Sequence, residues 1–518
     1  MTPKLPDWSL AGFLLLLFLG QSFVSSLNKA PVGDAWAHYL FGQWTLGQSY
    51  SPERNPAWDG TMPVSALNVL CSRAGARLGA RDAATVERVD IPSLVFARMP
   101  NMLFGAGILF CVWAFARTFI DRRTALLALL LGTFEPNLLG HSRFITTDVP
   151  AAFGFTIGSL LVAAFALRPS WSLCIASAVL LALAQLTKTS NLLLYPIAVG
   201  VILAVQFLRF KGRSAGRIPW GKVLVWMILT CLLTLVCLHF AYSGFSPEYD
   251  HKLRQSGTVA EDGLLAQLLP ATYRATIAIG RAHNQGGHPA YLLGRHSTRG
   301  WWYYFPIAVL VKTALPLLLL AFVGAAAAQR DKRGALILGT LPGIVYLAVF
   351  CAAVHVNIGV RHVLPVYPAL FLLAGYGASR LYEAVKPVPM RTSGILQTAA
   401  LLLVWAIPAW SVVEAARIYP HYEGYFNQLV GHPCGGWKVL GDSNVAWGQD
   451  RWIVEDWARK QDRPVHVNPL RPTTGLIVVR ADVLAGITPE MAQQFSWLSR
   501  KQKPVDCLTP GILIYDIR

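Results

Sequence analysis

Apolar runs of membrane-spanning length, broken by short polar links, fill most of the chain. They predict helices over Leu10–Val24, Leu94–Ala116, Ala125–Leu139, Val149–Leu167, Leu173–Leu186 and Leu192–Leu208. Further runs predict Val223–Phe240, Phe305–Ala327, Ala335–Ala353, Val363–Leu381 and Ile395–Val413, eleven spans in all. The first reads as an uncleaved helix rather than a signal peptide, since only Lys4 precedes it and no small-x-small site follows. Beyond about residue 414 the pattern shortens. Trp437–Leu440 and Gly475–Val479 predict strands, Gln449–Lys460 and Pro489–Lys501 helices, and Ile512–Tyr515 a last strand. The predicted fold class is a polytopic α-helical membrane protein with a membrane domain over residues 1–415 and a small α/β domain over 416–518.

Composition agrees. Of the 518 residues 54% are hydrophobic and 14% charged, against about 25% charged in an ordinary soluble protein. A net charge of +18 raises the question of nucleic acid. Most of the Lys and Arg sit in short links between apolar runs, which excludes that partner and matches the positive-inside pattern. Arg117, Arg122, Arg123, Arg168, the stretch Arg209–Lys222, the cluster Arg330, Lys332 and Arg333, and Lys386 with Arg391 fall on one side. With a cytoplasmic N-terminus this side is cytoplasmic, and an odd number of spans puts the C-terminus in the periplasm of a bacterial inner membrane.

The links on the other side hold the candidate chemistry. The long loops cover residues 28–92 and 242–304, and a shorter one is His141–Asp148. In the first loop Asp34 and His38 stand at i and i+4, one face of a helix, beside Tyr39. An interfacial helix capped by Asp34 accounts for the same pattern. HSRFITTDVP (141–150) carries His141, Arg143 and Asp148 between two apolar runs. Ionisable residues at a membrane boundary cost free energy and mark working sites more often than residues elsewhere, although a capped polar turn explains part of this stretch. Lys188 ends one span as a phosphate-binding cation or a snorkelling side chain. Arg361 and His362 begin another, and Arg suits bidentate phosphate contacts. Arg98 starts an earlier span near the same face, as a structural or a phosphate contact.

Asp34, His38 and Asp148 are also the candidate ligands of a divalent metal ion, a weak signal on two ligands one turn apart. Trp301–Phe305 reads as an interfacial aromatic belt, with sugar stacking as the sharper alternative. Lys312, inside an apolar span, needs a partner. Cys111, Cys174, Cys231, Cys237 and Cys351 lie in apolar runs as packing residues, while Cys434 and Cys507 in the tail can pair if the tail is periplasmic. Carboxylates able to deprotonate an acceptor, on the same face as cations able to hold a leaving phosphate, point to group transfer from a membrane-borne phosphate. The rival class is a transporter or flippase for a lipid-linked or anionic substrate. Against it, the charged groups cluster on one face and the spans carry few central charges.

These residues carry a resemblance. Asp34-x-x-x-His38-Tyr39 resembles the acidic first-loop motif of the GT-C glycosyltransferases, in the protein O-mannosyltransferase and aminoarabinose transferase-like branch (glycosyltransferase family 39 type). Phe134-Glu135-Pro136-Asn137-Leu138-Leu139, His141-Ser142 and Asp148-Val149-Pro150 are similar to its second acidic motif. Leu186-Thr187-Lys188 and Arg361-His362-x-Leu364-Pro365-x-x-Pro368 match further, so that the resemblance covers most of Leu10–Arg380. In the tail, GDSNVAWGQD (441–450) resembles a segment of bacterial phospholipid-carrier-dependent glycosyltransferases.

The resemblance implies a polyprenyl-phosphate sugar donor, an extracytoplasmic lipid, glycan or protein acceptor, and inversion at the anomeric carbon. By motif position Asp34 activates the acceptor, Asp148 lies near the donor or a metal, and Lys188 and Arg361 contact the phosphate. The chain departs from the pattern at Ala35, where a Glu is usual, at Thr61-Met62-Pro63, where His-Pro-Pro is frequent, and at Ala446, where Asp is common.

Overall fold

The structure, a computed structural model, describes residues 7–47, 60–210, 218–244, 263, 267–331, 333–385 and 394–518. Lys4, Lys332, Lys386, Arg391, the basic stretch 211–217 and parts of both long loops (48–59, 245–262 and 264–266) lie outside the described residues.

Seven described helices are long and apolar enough to cross a membrane: Asp7–Ser26, Leu94–Phe119, Asp148–Leu167, Thr189–Phe207, Trp220–Tyr242, Gly334–Ala353 and Thr398–Ile418. They match seven of the eleven expected spans. The other four differ for local reasons. The run Ala125–Leu139 is not continuous: one helix ends at Thr133 and another runs Pro136–His141. Pro136 cannot extend a helix but suits the first turn of one, and the Glu135 carboxylate caps it by accepting from Leu138 N at 2.7 Å. Leu173–Leu186 becomes Trp171–Ala184, 14 residues long and shorter than a span. Phe305–Ala327 is a bent pair, Tyr304–Lys312 and Leu315–Asp331, turned by 115°. Thr313 takes an extended conformation at the bend, and Pro316 sits in the first turn of the second helix, where a missing N–H costs no intrahelical bond. Val363–Leu381 starts as a tight turn over Val360–Val366 and continues as Tyr367–Val385, whose second half carries Tyr376, Ser379, Arg380, Tyr382 and Glu383. This last helix is largely buried. It meets Leu315–Asp331 backbone to backbone, since a Cβ at Gly324 would lie 1.8 Å from the Leu373 carbonyl oxygen and one at Gly377 2.1 Å from that of Leu320.

The basic links meet at one end of the helices. Arg122 and Arg117 pair with Asp7 at the start of the first helix, Arg123 with Glu383, and Arg380 with Asp331. The helix starts at Leu94, Asp148 and Val360 belong to the opposite end, where the outer loops and the tail sit.

The tail holds a four-stranded sheet in the order Val465–Val467, Gly475–Arg480, Ile512–Ile517, Asp506–Thr509. The first pair is parallel and the other two are antiparallel. The expected strand Trp437–Leu440 is instead a turn of tight helix over Pro433–Lys438, with Leu440 contributing a single bridge to Leu292. Pro433 and two successive glycines leave too little side chain for a pleated strand. Pro489–Lys501 is two short helices, broken at Phe495. Cys434 and Cys507 form a disulfide. The sheet has two apolar faces. Ile477, Val479, Leu513 and Tyr515 join the main core, while Val454, Leu476, Val478, Ile512 and Ile514 form a separate outer cluster.

Lys312 explains how the bent pair meets the tail. Fully buried, it donates to the backbone oxygens of Glu423 and Asn444, each at 2.6 Å, and lies over the Phe426 ring. Its own backbone oxygen accepts from Asn137 at 2.6 Å. Its role here is structural. Lys312→Met leaves two buried carbonyls without a donor; each such loss costs about 1–3 kcal/mol, and the expected result is a lowered melting temperature in detergent.

Candidate active site

Asp148 begins a long buried helix, and its carboxylate is the centre of the site. Lys188 Nζ donates to Oδ1 at 2.5 Å, and Arg361 Nη1 donates to Oδ2 at 3.3 Å. Arg361 reaches a second carboxylate, with Nη2 3.6 Å from Asp34 Oδ2. Two carboxylates therefore share one cation, Arg361, while Lys188 pairs with Asp148. They differ in access: the Asp148 side chain is 2% exposed and that of Asp34 is 36% exposed. Asp148 can serve only its cations, whereas Asp34 is open to an incoming group.

Each of these side chains is placed by a different element. Asp34 stands just before the helix Ala35–Thr45, with no side-chain cap bond, so its carboxylate stays free for the site. Lys188 is held in extended backbone before the turn Thr189–Leu193, where the Asn191 side chain closes the turn on Ala151, Ala184 and Thr187. Arg361 enters from the turn that opens Val360–Val366. Its Nε donates to Ser443 Oγ at 3.2 Å, and its guanidinium stacks on Trp447 with Cζ 4.0 Å from the ring centroid.

These groups line a cavity of about 1110 Å³. His38 and His362 line it too. Burial pushes the His38 imidazole down from 6.5 to about 4, despite the opposing pull of Asp34 and Asp148. Burial, with Arg361 and Lys188 adding, also pushes His362 well below 6.5. Both are neutral near pH 7. Among the described residues, His38 Nδ1 and His362 Nε2 have no hydrogen-bond partner.

The other expected residues lie off the cavity wall. Arg98 donates to the backbone oxygens of Ser26, Lys29 and Ala30, bracing the first loop where it leaves the first helix. Arg143 donates to the Ser25 and Pro420 oxygens and pairs with Glu423. Tyr39 packs among Val32, Val69 and Ile91, and His141 is buried against Phe144. The cavity also has lining residues that the motif reading did not name as site residues: Asp442, Trp447, Arg480 and Asp482. Asp442 and Trp447 fall within the tail segment 441–450, and the similarity of that segment was the available signal. Asp442 has φ +56°, unusual for a residue other than Gly, and burial raises its carboxyl above the ordinary value. Arg480 and Asp482 had no sequence signal, because they meet the site only when the sheet packs onto it.

A metal ion does not fit the expected donor set in this arrangement. Both Asp148 oxygens are taken by cations, and Asp34 shares Arg361. Among the described residues no three His, Cys, Asp or Glu side chains come together as a ligand group.

A bundle with seven described helices long and apolar enough to cross a membrane, and with Asp34, Asp148, Lys188 and Arg361 among the charged residues lining a cavity at one end, defines a helical membrane protein with an ionic cavity. Comparison with known proteins narrows this class. The model of the dolichyl-phosphate-mannose-protein mannosyltransferase family matches residues 87–251, the stretch that includes Asp148 and Lys188. The Archaeoglobus fulgidus oligosaccharyltransferase AglB, in complex with an inhibitory peptide and a dolichol-phosphate, is similar over 79% of this chain and 55% of its own, at 12% identity and TM-score 0.53. The apo A. fulgidus oligosaccharyltransferase is similar over 89% of this chain and 59% of its own, at 13% identity and TM-score 0.54. The chain thus spans little more than half the length of these archaeal proteins. ArnT from Cupriavidus metallidurans, bound to undecaprenyl phosphate, aligns over 99% of this chain and 98% of its own, at 13% identity and TM-score 0.49. No curated protein sequence matches the chain. The chain shares the fold of these archaeal oligosaccharyltransferases, and it is a multi-pass membrane protein.

The buried neutral imidazole generates a prediction. His38 has a folded pKa below its unfolded value, so its stabilising effect is complete above pH 6.5 and is lost as pH falls toward 4. A shift of this size corresponds to about 3 kcal/mol at full effect. Melting temperature measured from pH 7 to 4.5 should fall more steeply in the wild type than in His38→Gln, and parallel curves would remove the assignment.

Proposed function

We propose that the protein is an inverting glycosyltransferase that moves a sugar from a polyprenyl-phosphate donor to an acceptor outside the cytoplasm. The observation that carries this reading is the Asp148 carboxylate holding Lys188 and Arg361 at a cavity wall that the more exposed Asp34 shares.

The chemistry follows from the groups. An acceptor hydroxyl or amine attacks the anomeric carbon, and the bond from that carbon to the phosphate oxygen breaks. Asp34, close to the cations yet open to the cavity, takes the acceptor proton as general base. Lys188 and Arg361 stabilise the negative charge that develops on the departing polyprenyl phosphate. Asp148 keeps both cations in place before the donor arrives, so they need little reorganisation as the bond breaks. Neutral His38 and His362 line the same cavity and add no charge that would compete with the carboxylates or the phosphate for the two cations. No step is routed through a metal ion.

A place for the lipid chain supports the reading. An apolar groove of about 430 Å³, lined by Leu67, Leu70, Phe104, Phe153, Leu183 and Phe240, reaches Thr187, next to Lys188. A phosphate at Lys188 could lay its isoprenoid chain there. The charge sorting supports the sidedness: with the basic links on the cytoplasmic side of a bacterial inner membrane, the cavity and the tail domain over 416–518 face the periplasm.

The test uses detergent-purified protein and a panel of radiolabelled polyprenyl-phosphate sugars. Release of free polyprenyl phosphate from one donor is expected. Asp34→Asn and Asp148→Asn should each lower it by about 10²-fold or more, as loss of a general base or of the cation anchor does. Wild-type release in a folded Asp34→Asn protein would remove Asp34 from the scheme. Donor binding without release from any member of the panel would favour a transporter.

A further inference from the structure

The tail segment 441–450 has no role in the mechanism above, yet it makes the contacts that fix the catalytic cation. We propose that Trp447 and Ser443 are positioning residues, through which the C-terminal tail holds the Arg361 guanidinium in phosphate-binding orientation. The inference rests on the reading of Arg361 as a phosphate-holding group.

Arg361 has two donor edges to place. Nη1 and Nη2 face Asp148 and Asp34, while Nε, on the opposite edge, donates to Ser443 Oγ. Ser443 is itself fixed, since its hydroxyl donates to the Ile358 carbonyl at 2.6 Å, leaving the oxygen lone pairs for Nε. The flat face of the guanidinium lies against Trp447. An edge contact and a face contact together remove rotation about the last side-chain bonds, which two carboxylates on one edge leave open.

The segment is seated firmly enough to act as a template. Asn444 Oδ1 accepts from Val360 N at 2.9 Å, and its amide donates to Tyr304 Oη at 2.9 Å, so the residue before Arg361 is tied to the same loop. The Trp447 ring packs edge-on against Phe144, and its backbone oxygen accepts from Gly33 N at 2.9 Å. Gly33 precedes Asp34. One tryptophan therefore touches Arg361 through its ring and the Asp34 loop through its backbone, and so sets the spacing of proposed base and cation. Asp450 anchors the far end of the segment through Lys29 and Thr509.

The test measures binding of a long-chain polyprenyl monophosphate to the full-length protein in detergent, with melting temperature as the folding control. Trp447→Ala and Ser443→Ala should each weaken binding about tenfold, the range expected for one cation–π contact or one charged hydrogen bond. Trp447→Phe, which keeps a ring face, should recover most of the loss. In an Arg361→Ala background neither substitution should weaken binding further, because each acts through Arg361. Additional losses in that background, or unchanged affinity in a stably folded Ser443→Ala protein, would overturn the proposal. Wild-type affinity in Arg361→Ala itself would instead defeat the functional reading on which the proposal depends.

Discussion

A buried carboxylate that holds two cations is the constraint around which this protein is arranged. Asp148 alone would be an unpaired charge at the head of an apolar helix, and Lys188 and Arg361 alone would repel one another. Removing one partner from a buried ion pair typically costs about 3–5 kcal/mol, so the three elements that carry these residues must come together. They are a helix start, a turn after a short helix and a turn before a buried one, each at the same end of the bundle. The cavity is the space these three ends leave open, and Asp34 reaches it from the first outer loop.

A second buried ionic cluster does for the architecture what the first does for the site. Lys29 pairs with Asp450 and Glu423, Arg143 pairs with Glu423, and Thr509 donates to Asp450. Burial pushes both carboxyls up, but the cations hold them well below the usual carboxylate range. The cluster ties the first loop, the link after Pro136–His141 and the tail into one body. With Lys312 it explains why the C-terminal sheet shares the main core instead of hanging from it. Residues that look alike in sequence, such as Arg143 and Arg361, are thus separated by function: one braces the junction and the other faces the cavity.

The helical membrane class was legible because burial in lipid demands long apolar runs, and seven of them match observed helices to within five residues at either end. Asp148, Lys188 and Arg361 stand out in the sequence as charges at span ends, and Asp34 as a carboxylate one helical turn before His38 in the first outer loop. Tyr39, Arg98, His141 and Arg143 carry the same kind of signal, since bracing a loop and binding a ligand both call for buried polar groups. The runs Ala125–Leu139 and Phe305–Ala327 misled because apolar composition does not say where a proline and a capping carboxylate will break a helix.

By itself, then, the sequence determined the membrane setting, the end of the bundle where polar residues collect, and four of the charged residues that line the cavity, because hydropathy and charge act locally along the chain. Only the tertiary structure decided which cations share which carboxylate, that Lys312 is a brace, that Trp447, Arg480 and Asp482 from the distant tail reach the cavity, and that Ser443 meets Arg361. Those contacts join residues up to hundreds of positions apart. Their free energy comes from desolvated charges and packed rings that exist only once the tail has docked on the bundle, and no local pattern encodes them.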